Sequence, residues 1–337
     1  MLIDPMSEVF DLIEIKGLMT SGFTVPRGRA WVARGSLPPI LKFFAVVRGQ
    51  ARLAASGIDQ PLVLEAGDVA ILNNQAWLEV RGGPTDQVPY EIDVASARYP
   101  LDDDEGADLL LGGHIALNAI GEALLLQALP PVGHVRAATT SVPLRVRLEQ
   151  LLDEVTGDRI GSAFAIRQHG QLLVLDMLRV YLDQVALPPG WLRLLTDERL
   201  RAAVTLMHAE PGTAWRLESL ARAAAMSRTA FATHFRHVAG MPPLTYLNHW
   251  RMLLAQRALR EGNDHVGALA STLGYASESA FSTAFKRETG DPPLRYRKRV
   301  REEEARSSQK NDHGLALTTA RKAGASVAVV TQRDQDA

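Results

Sequence analysis

The residues best equipped for chemistry in this 337-residue chain are hydroxyls, guanidiniums and ammoniums set at fixed offsets from two pairs of phenylalanines. Phe231, Phe235, Gly240, Pro242, Pro243, Leu244 and Tyr246 spell F-x3-F-x4-G-x-P-P-L-x-Y. Phe281, Phe285, Gly290, Pro292, Pro293, Leu294 and Tyr296 repeat that pattern letter for letter. Aromatics at i and i+4 mark the inward face of a helix. At about 100° per residue, the opposite face then carries Thr229, Thr233, Arg236 and His237, with Ala232 at its edge. The same wheel turns Ser279, Thr283, Lys286 and Arg287 outward, with Ser282 at the edge. Small hydroxyl side chains near the start of a helix suit close hydrogen bonding to the edges of bases, and longer cations further along suit phosphates.

Those helices need elements to hold them. Upstream of each pair, Leu220-Ala221 answers Leu269-Ala270 and Ser227 answers Ser277, with one extra residue in the second turn. A short helix, a tight turn and a capped second helix describe a helix-turn-helix, whose second helix enters a major groove. Two copies are too few for a stacked solenoid, so a duplicated pair of helical units is the better reading. Candidate base readers are Thr229, Ala232, Thr233, Glu278, Ser279, Ser282 and Thr283; candidate phosphate contacts are Ser227, Arg228, Arg236, Ser277, Lys286, Arg287, Arg297 and Arg299. Ser227 and Ser277 also read as N-caps, and Glu278 as a first-turn acid able to accept from a cytosine amine. If the connecting helix from Leu244 to Arg260 is rigid, the two reading helices enter successive major grooves about 34 Å apart.

Charge supports this division. Residues 196–301 hold 16 Lys and Arg against 9 Asp and Glu, whereas residues 1–195 hold 16 against 23, so a near-neutral total hides a basic module joined to an acidic one. The acidic part begins with an expected lead-in helix to about residue 20, with Val9, Leu12 and Ile13 at helical spacing. Short apolar runs follow: Ala30 to Ala33, Leu41 to Val47, Ala51 to Ala54, Leu62 to Leu64, Val69 to Leu72 and Trp77 to Val80. Turn residues separate them, and further strands are expected at Tyr90 to Val94 and Asp108 to Leu117, which together predict a small antiparallel barrel or sandwich. After Ala119 the period becomes helical: to Ala128, then Val142 to Val155, then Ser162 to Val185, the last apolar on more than one face and so either core or a subunit interface. Thr196 reads as the cap of the helix that opens the basic module. The acid run Asp102 to Glu105 reads as a solvated loop, and residues beyond 302 as disordered.

At Ser227-Arg228-x-x-Phe231, Gly240-x-Pro242-Pro243-x-x-Tyr246, Leu273-Gly274-Tyr275-x-Ser277, Phe281-x3-Phe285-Lys286-Arg287 and Gly290-x-x-Pro293-x-x-Tyr296, the chain resembles the AraC/XylS family of bacterial transcription regulators. The resemblance implies a C-terminal domain of two helix-turn-helix units joined by a long helix. Many members carry Arg two positions after the first aromatic of each reading helix; Thr233 and Thr283 stand there in this chain, which favours thymine-methyl or hydroxyl contacts over guanine readout. Leu64-Glu65-Ala66-Gly67-Asp68 running into Val69 to Leu72, with the Arg48-Gly49 hairpin, resembles the cupin-like sensor half of one branch of that family. Where cupin enzymes place metal-binding histidines, this chain has Phe44 and Val46 on the early strand and Trp77 or Leu78 later, so no metal or other cofactor is expected. Phe44, Val46 and Trp77 become the residues that an effector in the barrel would meet, Trp77 otherwise being barrel packing.

The fold class expected is therefore α+β multidomain: a cupin-like β-barrel over 1–118, a helical linker or pairing segment over 119–195, an all-α double helix-turn-helix over 196–301, and a tail over 302–337. The implied function is a regulator that binds promoter double-stranded DNA, under control of a small-molecule effector, with RNA polymerase and a second copy of the chain as further partners, and with no catalysis. Two alternatives stand beside it: a cupin-type metal enzyme with an appended DNA-binding domain, and a dimeric regulator that needs no ligand. With no Cys, disulfides and thiolate chemistry are excluded; with no signal-like start and no apolar run of about 20 residues, a cytoplasmic protein without membrane contact is expected.

Overall fold

The computed structural model describes residues 4–25, 28–36, 41–92, 107–137, 142–157 and 159–303, so the acid run 102–105 and the tail from 304 lie outside the described residues. The chain divides into two compact units, Met1–Thr205 with Ala221–Pro242, and Leu206–Leu220 with Pro243–Ala337.

In the first unit, the strands are β1 (Ile15–Val25), β2 (Trp31–Ser36), β3 (Leu41–Arg48), β4 (Gln50–Ala55), β5 (Leu62–Glu65), β6 (Val69–Asn73), β7 (Trp77–Gly82), β8 (Tyr90–Ile92), β9 (Asp108–Leu117) and β10 (Val132–Val135). They form two five-stranded sheets, ordered β1-β9-β3-β6-β10 and β5-β4-β7-β2-β8. All of the pairings are antiparallel except β2 with β8. Phe44, Val46, Ala70, Leu72 and Leu110 from one sheet meet Trp31, Leu53, Leu64 and Val80 from the other, which places the core between them. Alternation along each strand is what allows this: β4 reads Gln50 out, Ala51 in, Arg52 out, Leu53 in.

The beginning of the chain differs from the expected lead-in helix. Helix α1 covers only Pro5–Phe10, capped by Asp4, whose side chain accepts from Ser7 N. The chain then becomes β1, which pairs with β9 from Ile15↔Leu117 to Val25↔Asp108. A partner about a hundred residues away decides this conformation, and it overrides the weak helical spacing of Val9, Leu12 and Ile13. Asn118 ties the two regions together: its Oδ1 accepts from Gly121 N at 2.7 Å and caps α2 (Ala119–Ala128), while its Nδ2 donates to Leu12 O at 2.8 Å.

Helices α3 (Val142–Thr156) and α4 (Ser162–Gln184) pack against one another, and α4 also covers β1 and β10. Leu173, Val174, Met177, Leu178 and Tyr181 of α4 are buried, while Phe164 and Leu172 remain exposed. Buried Asp176 is held from both sides, by Arg147 of α3 at 3.3 Å and by Arg179 at 3.8 Å.

A short helix absent from the sequence reading, α5 (Trp191–Thr196), follows. Thr196 closes it, donating to Arg193 O at 3.0 Å, instead of opening the next helix. The capping role falls to Asp197, whose Oδ1 accepts from Leu200 N ahead of α6 (Arg201–Ala209). Helices α7 (Leu217–Ala223) and α8 (Arg228–Ala239) form the first helix-turn-helix.

The second unit contains α9 (Pro243–Glu261), α10 (Val266–Thr272), α11 (Glu278–Thr289) and a closing helix over residues 293–303. Met252, Ala255, Leu259, Leu269, Leu273, Phe281, Phe285, Tyr296 and Val300 make its core. A second cluster supports it, in which the His208 ring stacks on Trp250 at 3.8 Å between centroids and shares a 2.7 Å hydrogen bond with the Tyr246 hydroxyl. Burial pushes the His208 imidazole down to about 3. Because the unfolded chain then binds a proton that the folded one refuses, the neutral ring's contribution is complete above pH 6.5 and is lost as pH falls toward 3. At pH 5 the expected loss is ~2 kcal/mol. Urea unfolding at pH 7.5 and pH 5 should show it, and His208→Phe should shrink the difference.

Candidate nucleic-acid interface

Each reading helix is built in the same way. Ser227 accepts from Ala230 N at 3.2 Å and Ser277 from Ala280 N at 3.1 Å, so both serines are N-caps, as their position predicts. Both helices end on a left-handed glycine, Gly240 and Gly290, with the N–H returned to Arg236 O and Lys286 O. Phe231 and Phe235 are fully buried with centroids 5.7 Å apart, and Phe281 and Phe285 are buried at the same spacing. Tyr296 meets Phe285 edge-on at 5.2 Å.

With the aromatics inward, Thr229, Thr233, Arg236 and His237 are exposed and Ala232 is half-buried. On α11, Glu278, Ser279, Thr283, Lys286 and Arg287 are exposed and Ser282 is half-buried. The helical wheel drawn from the sequence therefore matches the exposure of both helices. One detail sharpens Thr283. Its hydroxyl donates to Ser279 O at 2.9 Å, so its methyl group and the oxygen lone pairs are what it has left to offer outward.

The turns explain the length difference between the copies. In the first, Met226 N donates to Ala221 O; in the second, Tyr275 N donates to Ala270 O, both at 2.9 Å. These bonds make Ala225 the counterpart of Gly274, and Ala276 the inserted residue. Both counterparts sit in the left-handed region, Ala225 at φ 52° and Gly274 at φ 78°. Gly274 has a second constraint, because a Cβ there would lie 2.3 Å from Gly212 O. The loop carrying Gly212 is clamped by Arg251 of α9, which donates to Pro211 O at 2.6 Å and Thr213 O at 3.0 Å. Burial lowers the Arg251 guanidinium below its usual range. Nothing local in the sequence marks this arginine, because both of its carbonyl partners lie about 40 residues away.

The basic run at the end of the module is differently engaged. Arg297 donates to Asp264 O, and Arg301 donates to Gly262 O at 2.6 Å and to Asn263 at 3.0 Å. Arg299 pairs with Asp291 at 3.0 Å and Glu303 at 3.1 Å; hydrogen bonds to these two carboxylates raise its already high basicity. Arg295 faces Asp291 and Lys298 faces Glu302, at 3.5 and 3.9 Å.

In the first unit, the residues expected to meet an effector do not share a space. Phe44 and Val46 are closed into the core between the sheets. Leu78 and Val80 of β7 face that core, so by alternation Trp77 points away from it, 47 % exposed, and is not barrel packing. The Gly67-Asp68 turn is also structural. Asp68 is buried and accepts from Ala137 N at 2.7 Å, from Glu65 N at 3.1 Å and from His134 at 2.9 Å. Burial opposes its ionisation, but those hydrogen bonds win and hold the carboxyl below its usual range. Among the described residues, no three of His, Cys, Asp or Glu converge as metal ligands, and no helix is long and apolar enough to cross a membrane.

A cupin-like pair of sheets followed by two helix-turn-helix units, each presenting a polar face beyond buried aromatics, defines a DNA-binding transcription regulator with a sensor-type N-terminal domain. The family model described as a helix-turn-helix domain matches residues 220–299, and the model described as cupin matches residues 4–183. An AraC-like transcription regulator of Streptomyces lividans is 34% identical over 282 residues, covering 82% of this chain and 92% of that protein. A second, from Streptomyces antibioticus, is 33% identical over 284 residues with the same coverage. Among solved structures, the DNA-binding domain of the transcriptional factor AdpA in complex with a target DNA is 32% identical, covering 32% of this chain and 96% of that one, with a TM-score of 0.31. The chain belongs to the AraC-like transcription regulators.

Proposed function

We propose that α8 and α11 are two inequivalent readers, each taking one half of an asymmetric promoter site, and that the cupin half governs how they do so. The observation that carries this is the pairing of identical scaffolds with different outward faces: Thr229, Ala232, Thr233 and Arg236 on one helix, Glu278, Ser279, Ser282, Thr283 and Lys286 on the other. Thr283 offers a methyl group and oxygen lone pairs, and Thr233 a methyl group and a hydroxyl, which suit thymine methyls and single hydrogen bonds instead of the bidentate guanine contact of an arginine. Ser227 and Ser277 hold the helix ends, and Ser227 presents its hydroxyl beside Arg228, where a phosphate would run. Arg236, Lys286 and Arg287 carry the phosphate contacts. Arg297 and Arg299 are committed to Asp264, Asp291 and Glu303 and belong to the fold instead. In salt titrations of promoter binding, Lys286→Ala and Arg287→Ala should each flatten the log–log slope by about 1, while Arg297→Ala leaves it unchanged. Equal slopes for all three variants would refute the assignment.

The first unit acts by sensing, not by catalysis. Carbon fills the space that metal ligands would need, since Phe44 and Val46 are packed in the core. A small anionic effector fits one cavity of about 210 Å³ at the edge of the sheets, bordered by Trp31, Gln50, Arg52, Arg81, Thr85 and Gln87. Arg52 and Arg81 stand directly opposite one another on β4 and β7, an unfavourable like-charge pair that an anion would relieve. Glu79 is shared between Arg81 and Arg34, so it only partly compensates. Thermal melting with a panel of small carboxylates tests the site: a stabilisation abolished by Arg52→Ala supports it, and no shift with any of them points to the ligand-independent alternative.

A further inference from the structure

The first reading helix is fastened on its flank by α5, the short helix that the sequence did not reveal, and α5 is in turn fastened to the cupin half. At the cupin end, the Trp191 indole N–H donates to Leu124 O in α2 at 3.0 Å. At the reader end three contacts follow one another along α8. Asp197 meets His234 Nε2 at 2.9 Å, Arg193 meets His237 Nε2 at 3.2 Å, and Gly190 N donates to Val238 O at 3.0 Å. Leu192 and Leu194 are buried beneath, so α5 is seated and not merely adjacent. Pro189 lies against Gly240, where α8 ends.

His234 and Val238 lie on one flank of α8, about 100° or more around the helix from Thr229, Thr233 and Arg236, and His237 stands between that flank and the outward face, about 40° from Thr233. Contacts on that flank and at its border with the outward face, spread over the last half of the helix, fix its rotation about its own axis and involve none of Thr229, Thr233 and Arg236. A rotation of α8 would move Thr229 and Thr233 together relative to a groove, and positioning errors of about 1 Å disable such contacts.

We infer that α5 is the element through which the cupin half sets the pose of the first reader, with Trp191, Arg193 and Asp197 as positioning residues that themselves touch no DNA. A change in α2, whose Leu124 carbonyl holds the indole, is passed to α8 through a helix one and a half turns long. The second reader has no part in this chain of contacts, so the coupling acts on one half-site only. The inference rests on the reading that α8 and α11 each take a half-site.

The test uses the full chain and two promoter probes, each with one half-site scrambled. Trp191→Phe keeps an aromatic side chain while removing the indole N–H together with the pyrrole ring that carries it; Arg193→Ala removes a half-exposed guanidinium and guards against a folding defect in the first variant. Both should weaken the probe that retains the α8 half-site by roughly 3- to 10-fold, the worth of one net hydrogen bond, and leave the other probe unchanged. A reduced folded fraction would weaken both probes equally, so the ratio of the two affinities is the readout. Equal weakening, or no weakening, overturns the inference. Wild-type protein that binds neither probe specifically would instead sink the underlying reading of the two helices.

Discussion

Replacing Phe285 with alanine is expected to unfold the second helix-turn-helix under conditions where the wild type is stable. Its ring is fully buried, 5.7 Å from Phe281 and edge-on to Tyr296 at 5.2 Å. Removing such a ring costs roughly 3–5 kcal/mol, through lost transfer free energy and the cavity that remains. That is a large part of the ~5–15 kcal/mol that stabilises a typical domain. The surrounding core, with Met252 and Leu259 from α9, Leu269 from α10 and Tyr296 from the closing helix, comes from three different helical segments and cannot collapse onto the gap together. Phe285→Leu keeps most of the volume and should lose about half as much. Chemical denaturation followed by far-ultraviolet circular dichroism measures both. A change below about 1 kcal/mol for Phe285→Ala would contradict the packing described.

The second large effect concerns the turns, where the two copies make opposite predictions from one comparison. Gly274→Ala places a methyl group 2.3 Å from the Gly212 carbonyl oxygen while requiring φ of 78°. The conformation alone costs about 1–2 kcal/mol for a residue with a Cβ. The carbonyl is backbone, on a loop clamped by Arg251, so it cannot swing aside. A total of roughly 3 kcal/mol or more is expected, together with loss of DNA binding through α11. At the equivalent position in the first copy, Ala225 already bears the left-handed strain. Ala225→Gly should therefore stabilise by a few tenths to about 1 kcal/mol, the relief being partly offset by the freer unfolded chain. Thermal melts of the two variants should move in opposite directions.

How much of this was legible in the sequence depends on where the deciding partner lies. Helices α8 and α11 were read to the residue because their determinants are local: a serine cap, aromatics at i and i+4, and a glycine stop. Most strands of the first unit were equally visible, bounded by turns such as Arg48-Gly49 and Ala66-Gly67-Asp68. Strand β1 was mistaken for helix because its pairing with β9 carries the decision across some hundred residues. Strand β10 was overlooked because four residues, Val132–Val135, gain their meaning from β6. Trp77 was misplaced by a question of parity, since shifting a strand by one residue exchanges its faces. Among candidate site residues, the outward faces of α8 and α11 follow from the wheel, whereas the internal engagement of Arg297 and Arg299 depends on Asp264 and Asp291, which precede the closing helix, and on Glu303 one turn further along it. Trp191, Arg251 and the stack of His208 on Trp250 were missed for the same reason: each acts on a partner 38 or more residues away.

The central claim is that two similar scaffolds read two different sequences. Footprinting the full chain on the promoters beside its gene, with Thr229→Ala and Thr283→Ala alongside the wild type, tests it most directly. The account predicts two protected segments of unlike sequence, with Thr229→Ala weakening one and Thr283→Ala the other. Protection of no specific segment, or loss at the same segment from both substitutions, would contradict it.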